Sequence, residues 1–338
     1  MTNTRGPDEL GQGRDPLGTK ATPPTRKRRR ARTVLVSLAS AVVLLGAATA
    51  GAFIYLNQEV GRIPRVPVKF LSRDSSAGMT ILLTASQVGP TGFSGTSQMS
   101  TGSGLIMLLH TNVNETTGGV VSIPPQTEVN VPGQGEMQLW KVEALGGPSL
   151  LTETVHDLTG LQINHYARID FNHVASMVNA LGGISVTLSQ TENSFGHVFP
   201  KGVDHINGTE ALKYARQLSL SETGRVLRQE SLMRAVLSRL ASAHLLTNPL
   251  TTTRVLSALD DMLTVDSTFN ISQVLSLATS LGKLEYNTST FLTAPTETVS
   301  KFVVLNPTQS KALWYAVKND ALASFAQDNP GTITPAAP

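Results

Sequence analysis

The 338-residue sequence contains no cysteine, which excludes disulfides, thiol nucleophiles and cysteine-ligated metal centres. Its seven histidines (His110, His156, His165, His173, His197, His205 and His244) form no HExxH pair or other close ligand spacing. They read as scattered core and surface side chains. A GxSxG elbow, a phosphate-binding P-loop and a GxGxxG fingerprint are all missing, so the chemistries those motifs carry have no anchor here. Surplus basic charge is missing too, once the N-terminal tail is set aside. The formal net charge of +3 hides a split. Nine Lys/Arg and three Asp/Glu fall in residues 1–32, whereas 18 of the 27 basic and 21 of the 24 acidic residues follow position 56. A mildly acidic body is a poor nucleic-acid binder, because phosphate contacts supply most of that affinity.

Charge of either sign is absent from Thr33 to Leu56, TVLVSLASAVVLLGAATAGAFIYL. As a helix these 24 residues would be roughly 36 Å long, enough to cross a hydrocarbon core of about 30 Å. The rival reading is a cleaved signal peptide, with small residues around Ala47–Ala52 as the processing site. The apolar region of such a signal is usually about 7–15 residues, so length favours an anchor. RKRRRAR directly before the span places the tail in the cytoplasm by the positive-inside rule. The tail is Pro/Gly-rich and too short for a helix-turn-helix domain, so residues 1–32 read as a disordered basic segment. The expectation is a single-pass bacterial membrane protein with its body outside the cytoplasm.

Residues 57–77 read as a stalk, since the prolines of IPRVPVKF disfavour a helix or a central strand. The body, residues 78–326, begins with short apolar runs suited to buried strands: Met79–Ala85, Leu105–Asn112 and Gly118–Pro124. A Gly/Ser/Thr-rich loop separates the first two. PSLLTETVHDLTG repeats apolar residues at Leu150, Leu151, Val155 and Leu158 and stops at Gly160, which predicts a helix. HYARIDF and ISVTLS read as strands around the short helix NHVASMVNALGG. Helices are then predicted over NGTEALKYARQ, TGRVLRQESLMRAVLSRLASAHLL, PLTTTRVLSALDDML, ISQVLSLATSLG and PTQSKALWYAVKND, and residues 327–338 read as a disordered end. Strands alternating with helices predict an α/β sandwich in one domain.

The stretch that points to chemistry is GRVLRQ. On a helix, Arg225, Arg228 and Gln229 stand at i, i+3 and i+4 and share a face. Guanidinium forks match oxyanions, so the pattern suits a phosphate grip, although surface cations paired with Glu222 and Glu230 would look the same. The same general face continues through Leu232, Met233, Val236 and Leu240. An apolar stripe of that kind is ordinarily core. Read with the polar grip, it also offers a groove for a lipid tail, head at the helix N-terminus and tail along the helix.

The order of these segments resembles the LytR-CpsA-Psr family. ILL, LIMLLH with VVSIP, EALGGPSLLTETVHDLTGLQINHY, IDFNHVASMVNALGGISVTL, INGTEALKYAR and GRVLRQ follow one another as in that family, over about 160 residues behind one N-terminal span. The resemblance implies an α/β/α sandwich with a central mixed sheet outside the cell membrane. It also implies a phosphotransferase that moves a glycopolymer from a polyprenyl-pyrophosphate carrier onto peptidoglycan, typically with magnesium. A departing pyrophosphate gathers negative charge, which a metal on carboxylate oxygens and fixed arginines would meet.

Carried over position by position, the resemblance divides. Where the family has GSDSR this chain reads Thr84-Ala85-Ser86-Gln87-Val88, and RSDT becomes Gly102-Ser103-Gly104-Leu105. IPRDT becomes Ile123-Pro124-Pro125-Gln126-Thr127; a family lysine falls on Gln138, with Lys141 one turn away; and the second arginine of YVRSR falls on Leu218. The resemblance keeps Arg216, Arg225, Arg228 and Gln229 as phosphate-binding groups, with Glu222 where the family usually has Asp. Replacement oxygens could come from Ser86, Gln126, Glu143 or Glu222. No metal is expected and no catalytic residue is assigned. The implied partners are a polyprenyl phosphate or lipid-linked glycopolymer, peptidoglycan, the membrane and an active relative, with nucleic acid excluded. Two functions follow: a weakened or non-catalytic handler of such lipids, and an active transferase using replacement ligands. A third, transcriptional regulation, is opposed by the outward topology.

Overall fold

The computed structural model describes residues 61–76, 78–86, 103–114, 118–216, 222–242, 248–270 and 291–334, with Gln58 and Gln273 as single residues. The apolar stretch 33–56 lies outside them, and no helix among the described residues is long and apolar enough to cross a membrane. Residues 55–338 form a compact unit of their own.

The short apolar runs become the middle of one sheet: β2 (Met79–Ser86), β3 (Ser103–Thr111) and β4 (Gly118–Ser122), after an edge strand β1 (Arg65–Val66). Strands covered on both faces read as unbroken apolar runs rather than as alternations. β7 (His165–Ile169), β12 (Leu263–Asp266) and β13 (Phe291–Thr293) complete seven strands in the order β1-β12-β7-β2-β3-β4-β13. The sheet is mixed. β2 runs parallel to β7 and β4 parallel to β13, while β3 is antiparallel to both β2 and β4. Small antiparallel ribbons lie outside it: β5 (Glu128–Val131) with β6 (Gly135–Gln138), β8 (Ile184–Leu188) with β11 (Gly202–Ile206), β9 (Glu192–Ser194) with β10 (His197–Phe199), and β14 (Thr296–Val299) with β15 (Phe302–Leu305).

Alternate side chains of each central strand enter opposite cores. Ile81, Leu83, Leu105 and Met107 face one, with Val174 and Met177 of α2 (Val174–Ala180), Tyr214 of α3 (Gly208–Ala215), Leu232 and Val236 of α4 (Glu222–Ser242), and Val255 of α5 (Pro249–Met262). Leu82, Ile106, Leu108 and Tyr166 face the other. There they meet Val142 and Leu151 of α1 (Leu139–Thr159), Leu313 and Trp314 of α6 (Pro307–Lys318), and Phe325 of α7 (Leu322–Asp328). Helices on both faces of a mixed sheet make the expected three-layer α/β arrangement.

Three local differences from the sequence reading have physical reasons. The predicted helix at Pro148 is the second half of α1; it is preceded by a turn of helix from Leu139 and a break at Gly146–Gly147, where Gly147 takes φ 68°. The stalk reading of 57–77 gives way at Ile63, which is buried in the first core, and at β1, which pairs with β12. A two-residue edge strand tolerates the neighbouring prolines. The reading of residues 327–338 as a disordered end gives way through Thr334, because α7 runs to Asp328, the Thr334 amide bonds to the Phe291 carbonyl and Ile333 bridges Leu292. The predicted continuation of α4 past Ser242 to Leu246 lies outside the described residues, as does almost all of the predicted helix ISQVLSLATSLG.

Candidate functional site

Because β3 is antiparallel to its neighbours, its beginning lies beside the ends of β2 and β4. Ser86 pairs with Ser103, Met107 with Ser122, and Ala85 with Ile169 at the end of β7. The segments 84–86, 103–105 and 123–127, far apart in sequence, are therefore gathered at one end of the sheet. Where the resemblance would have an arginine and an acid, Pro125 is buried, with its carbonyl accepting from the Trp140 amide, and Gln126 is half-buried. Residues 87–102 and the side chains of Ser86, Ser103, Glu222 and Arg225 lie outside the described part.

Arg216 reaches this end from the C-cap of α3. Its Nη2 donates to Asn172 Oδ1 at 2.8 Å, just beyond β7, while its Nε–H is shielded and meets no acceptor among the described residues. Arg228 lies deeper. It is 0% exposed, its guanidinium carbon is 4.6 Å from the centre of the Tyr214 ring, and burial lowers its pKa against the opposing pull of Tyr214 and Glu192. Gln229 beside it is buried. Leu232, Met233 and Val236 are packed in the first core and Leu240 lies half-buried against it. The structure thus places Arg228 and the apolar stripe inside the fold and Arg216 nearer its surface.

Two carboxylates at the same end complete the picture. Glu143 on α1 accepts from the Tyr166 hydroxyl, which also contacts Thr84 Oγ1 at 3.2 Å, and Arg168 Nη1 stands 3.8 Å from the same carboxylate. Burial pushes the Tyr166 hydroxyl pKa up, and the Glu143 charge adds to the shift. Glu230 on α4 accepts from Ser122 Oγ at the end of β4, and its Oε2 has no partner among the described residues. Burial pushes its pKa up to about 7, although the Ser122 bond and Arg234 favour the charged form. Arg234, one turn on, donates from Nη2 to the Thr334 carbonyl at 2.9 Å and lies 5.2 Å from the Phe291 ring centre. Sequence reasoning named Glu230 only as a surface partner; its i,i+4 spacing to Arg234 was the available signal.

This donor set does not suit magnesium, which takes about six oxygens in near-octahedral array. Glu143 and Glu230 sit on different helices, each already hydrogen-bonded by a hydroxyl and faced by an arginine. Among the described residues no three His, Asp or Glu side chains come together in a way that could hold a metal ion.

The fold is that of an α/β domain with polar groups gathered at one end of a mixed sheet. Residues 63–328 match the LytR_cpsA_psr family, and the chain belongs to it. It is 36% identical over 157 residues to the "Probable cell wall biosynthesis protein LcpB" of Corynebacterium glutamicum, covering 45% of this chain and 37% of that one. It is 30% identical over 162 residues to the "Polyisoprenyl-teichoic acid--peptidoglycan teichoic acid transferase TagU" of Enterococcus faecalis, covering 47% and 52%. These matches thus span about half or less of either relative. Among solved structures, the "LytR-Csp2A-Psr enzyme" of Actinomyces oris superposes with a TM-score of 0.57 at 19% identity over 78% of this chain and 96% of that one, a likeness of fold.

Proposed function

We propose that this protein is a membrane-anchored, extracytoplasmic member of its family. It binds the phosphate head of a polyprenyl-linked glycopolymer destined for peptidoglycan, with catalysis reduced or absent. The observation that carries the reading is Arg216 at the site end of the sheet, its Nε–H shielded and without an acceptor among the described residues. In the sequence, the positions where the family resemblance would put acids and further arginines read Ser86, Val88, Gly102, Gly104, Pro125, Gln126 and Leu218. A buried donor without an acceptor costs free energy that an anionic ligand would return. Thr33–Leu56 supplies the anchor and RKRRRAR the orientation. The relative named a polyisoprenyl-teichoic acid–peptidoglycan transferase supports the substrate class.

The test is binding of decaprenyl phosphate and of magnesium, side by side, to the full chain in detergent. The expected result is lipid affinity that EDTA leaves unchanged, and that Arg216→Ala weakens about 10-fold or more, the scale of one charge-assisted hydrogen bond. Absence of lipid affinity ends the proposal, and affinity that requires magnesium favours a second reading. That reading is an active transferase with replacement ligands, and the buried carboxylates Glu143 and Glu230 at the same end of the sheet are what support it.

A further inference from the structure

At the opposite end of the sheet from the candidate site, a pocket of about 720 Å³ opens beside Met79, where β2 begins, and Thr111, where β3 ends. Its apolar lining includes Val68, Phe70, Leu71, Met79 and Val113. Two of these are on the outside: Phe70 is 56% exposed and Val113 59% exposed. Phe70 also takes φ 64°, a left-handed conformation that a side chain of its kind rarely adopts. The turn is held there from both sides. The Lys69 amide donates to Ser149 Oγ at 2.9 Å, and the Ser72 amide to the Ile163 carbonyl at 2.7 Å. Asn164 Nδ2 fixes the next residues through the Asp74 carbonyl at 2.7 Å. A backbone pinned in a strained turn that presents an aromatic ring to solvent fits a contact surface better than a packing accident.

The charges around it have one prevailing sign. Arg62, Arg65, Lys69 and Arg73 are exposed on the same segment, with Asp74 as the acid among its described residues. Arg73 lines the pocket itself, and Arg65 Nη2 reaches the Phe269 carbonyl at 3.4 Å, next to Thr268 in the pocket wall. Arg65 follows Leu56 by nine residues, a tether of at most about 32 Å. A second exposed aromatic, Phe195 at 50%, stands in the turn between β9 and β10, but its sequence neighbours Glu192, Lys201 and Asp204 are of mixed charge.

We infer that the face formed by Phe70, Val113 and the basic segment 62–73 docks on the surface of an anionic phospholipid bilayer. This rests on the membrane-anchor reading above. Phe70 and Val113 enter the headgroup boundary, and the four cations meet lipid phosphates, as aromatic and basic side chains do at membrane interfaces. The candidate site, at the other end of the sheet, then faces away from the membrane.

The absence of cysteine makes any introduced thiol unique, which suits a labelling test. Full-length F70C, V113C, F195C and Y315C would each carry a nitrobenzoxadiazole label, in nanodiscs of phosphatidylglycerol or of phosphatidylcholine alone. The expected result is blue-shifted emission and quenching by nitroxide-bearing lipid at 70 and 113 but not at 195 or 315. Quenching should fall at least threefold in phosphatidylcholine. Labels at 70 and 113 that stay as open to iodide as the one at 315 overturn the inference. So does a blue shift without lipid quenching, which would mean burial against protein, or quenching confined to 195. If the chain fails to co-purify with the discs, the anchor reading fails instead. Labelled F70C mixed with phosphatidylglycerol vesicles then decides the docking face alone, by the presence or absence of the same lipid quenching.

Discussion

Glu230 is the residue whose behaviour departs furthest from its type. A glutamate on a helix ordinarily faces water, yet this one is 3% exposed and accepts from Ser122, 108 residues away in sequence. With its pKa pushed up to about 7 from a normal 4.5, the folded state holds a proton that the unfolded chain has already released between those values. The unfolded state then binds fewer protons, so this group's contribution to stability falls as pH rises from 4.5 through 7. A shift of that size corresponds to about 3 kcal/mol at most. His110, whose pKa burial lowers, works in the opposite direction, because its folded form resists protonation on the acid side. Comparing variants separates the two. Denaturant titrations at pH 5 and pH 8 should show wild type losing more stability with rising pH than Glu230→Gln, by about 1–3 kcal/mol. Equal pH dependence in both proteins would place the ionisation elsewhere.

At the scale of elements, the central strands and the helices after them were legible because their signals are local. Ile81–Leu83 and Leu105–Leu109 are unbroken apolar runs, and the end of α1 is punctuated by Gly160. The edge of the sheet was not legible. β1, β12 and β13 have two to four residues each and take their strand character from a neighbour rather than from their own composition. The C-terminal segment was misjudged for the same reason, since nothing in its sequence reports the Phe291 carbonyl or the Arg234 guanidinium that hold Thr334. Where α2 meets α3 the packing makes a sharp demand. A Cβ at Gly208 would lie 2.2 Å from the Ala175 carbonyl oxygen and 2.8 Å from Asn179 Nδ2, while the Gly208 amide itself donates to Asn179 Oδ1 at 2.9 Å. Gly208→Ala should therefore destabilise by about 1–3 kcal/mol, as overpacking does, despite alanine's better helix propensity. A denaturation midpoint at or above that of wild type would show that the two helices separate freely.

For the whole molecule, family membership and site diverge in how they could be read. The frame of ordered segments was legible because a three-layer fold spreads its signal over many buried positions. The candidate site depends on side chains brought together only by the antiparallel course of β3. Sequence comparison put Arg216 and Arg228 alike in a phosphate grip and noted the missing acids; the structure leaves Arg216 nearer the surface and buries Arg228 on Tyr214. That difference bears on activity. Preorganised charge at a phosphoryl-transfer site is commonly worth about 10²–10³-fold per group. Here three acid positions read Ser86, Gly104 and Gln126, and four arginine positions read Val88, Gly102, Pro125 and Leu218. Even if these losses combine far from additively, transfer of a lipid-linked glycopolymer to peptidoglycan should run at least about 10⁴-fold slower than for a relative that retains all seven groups, assayed under the same conditions. Glu143, held by Tyr166 and Arg168, and Glu230, held by Ser122, are poorly disposed to make up the difference. A rate within tenfold of the relative's, abolished by Glu143→Gln or Glu230→Gln, would instead establish those carboxylates as replacements and this end of the sheet as a working active site.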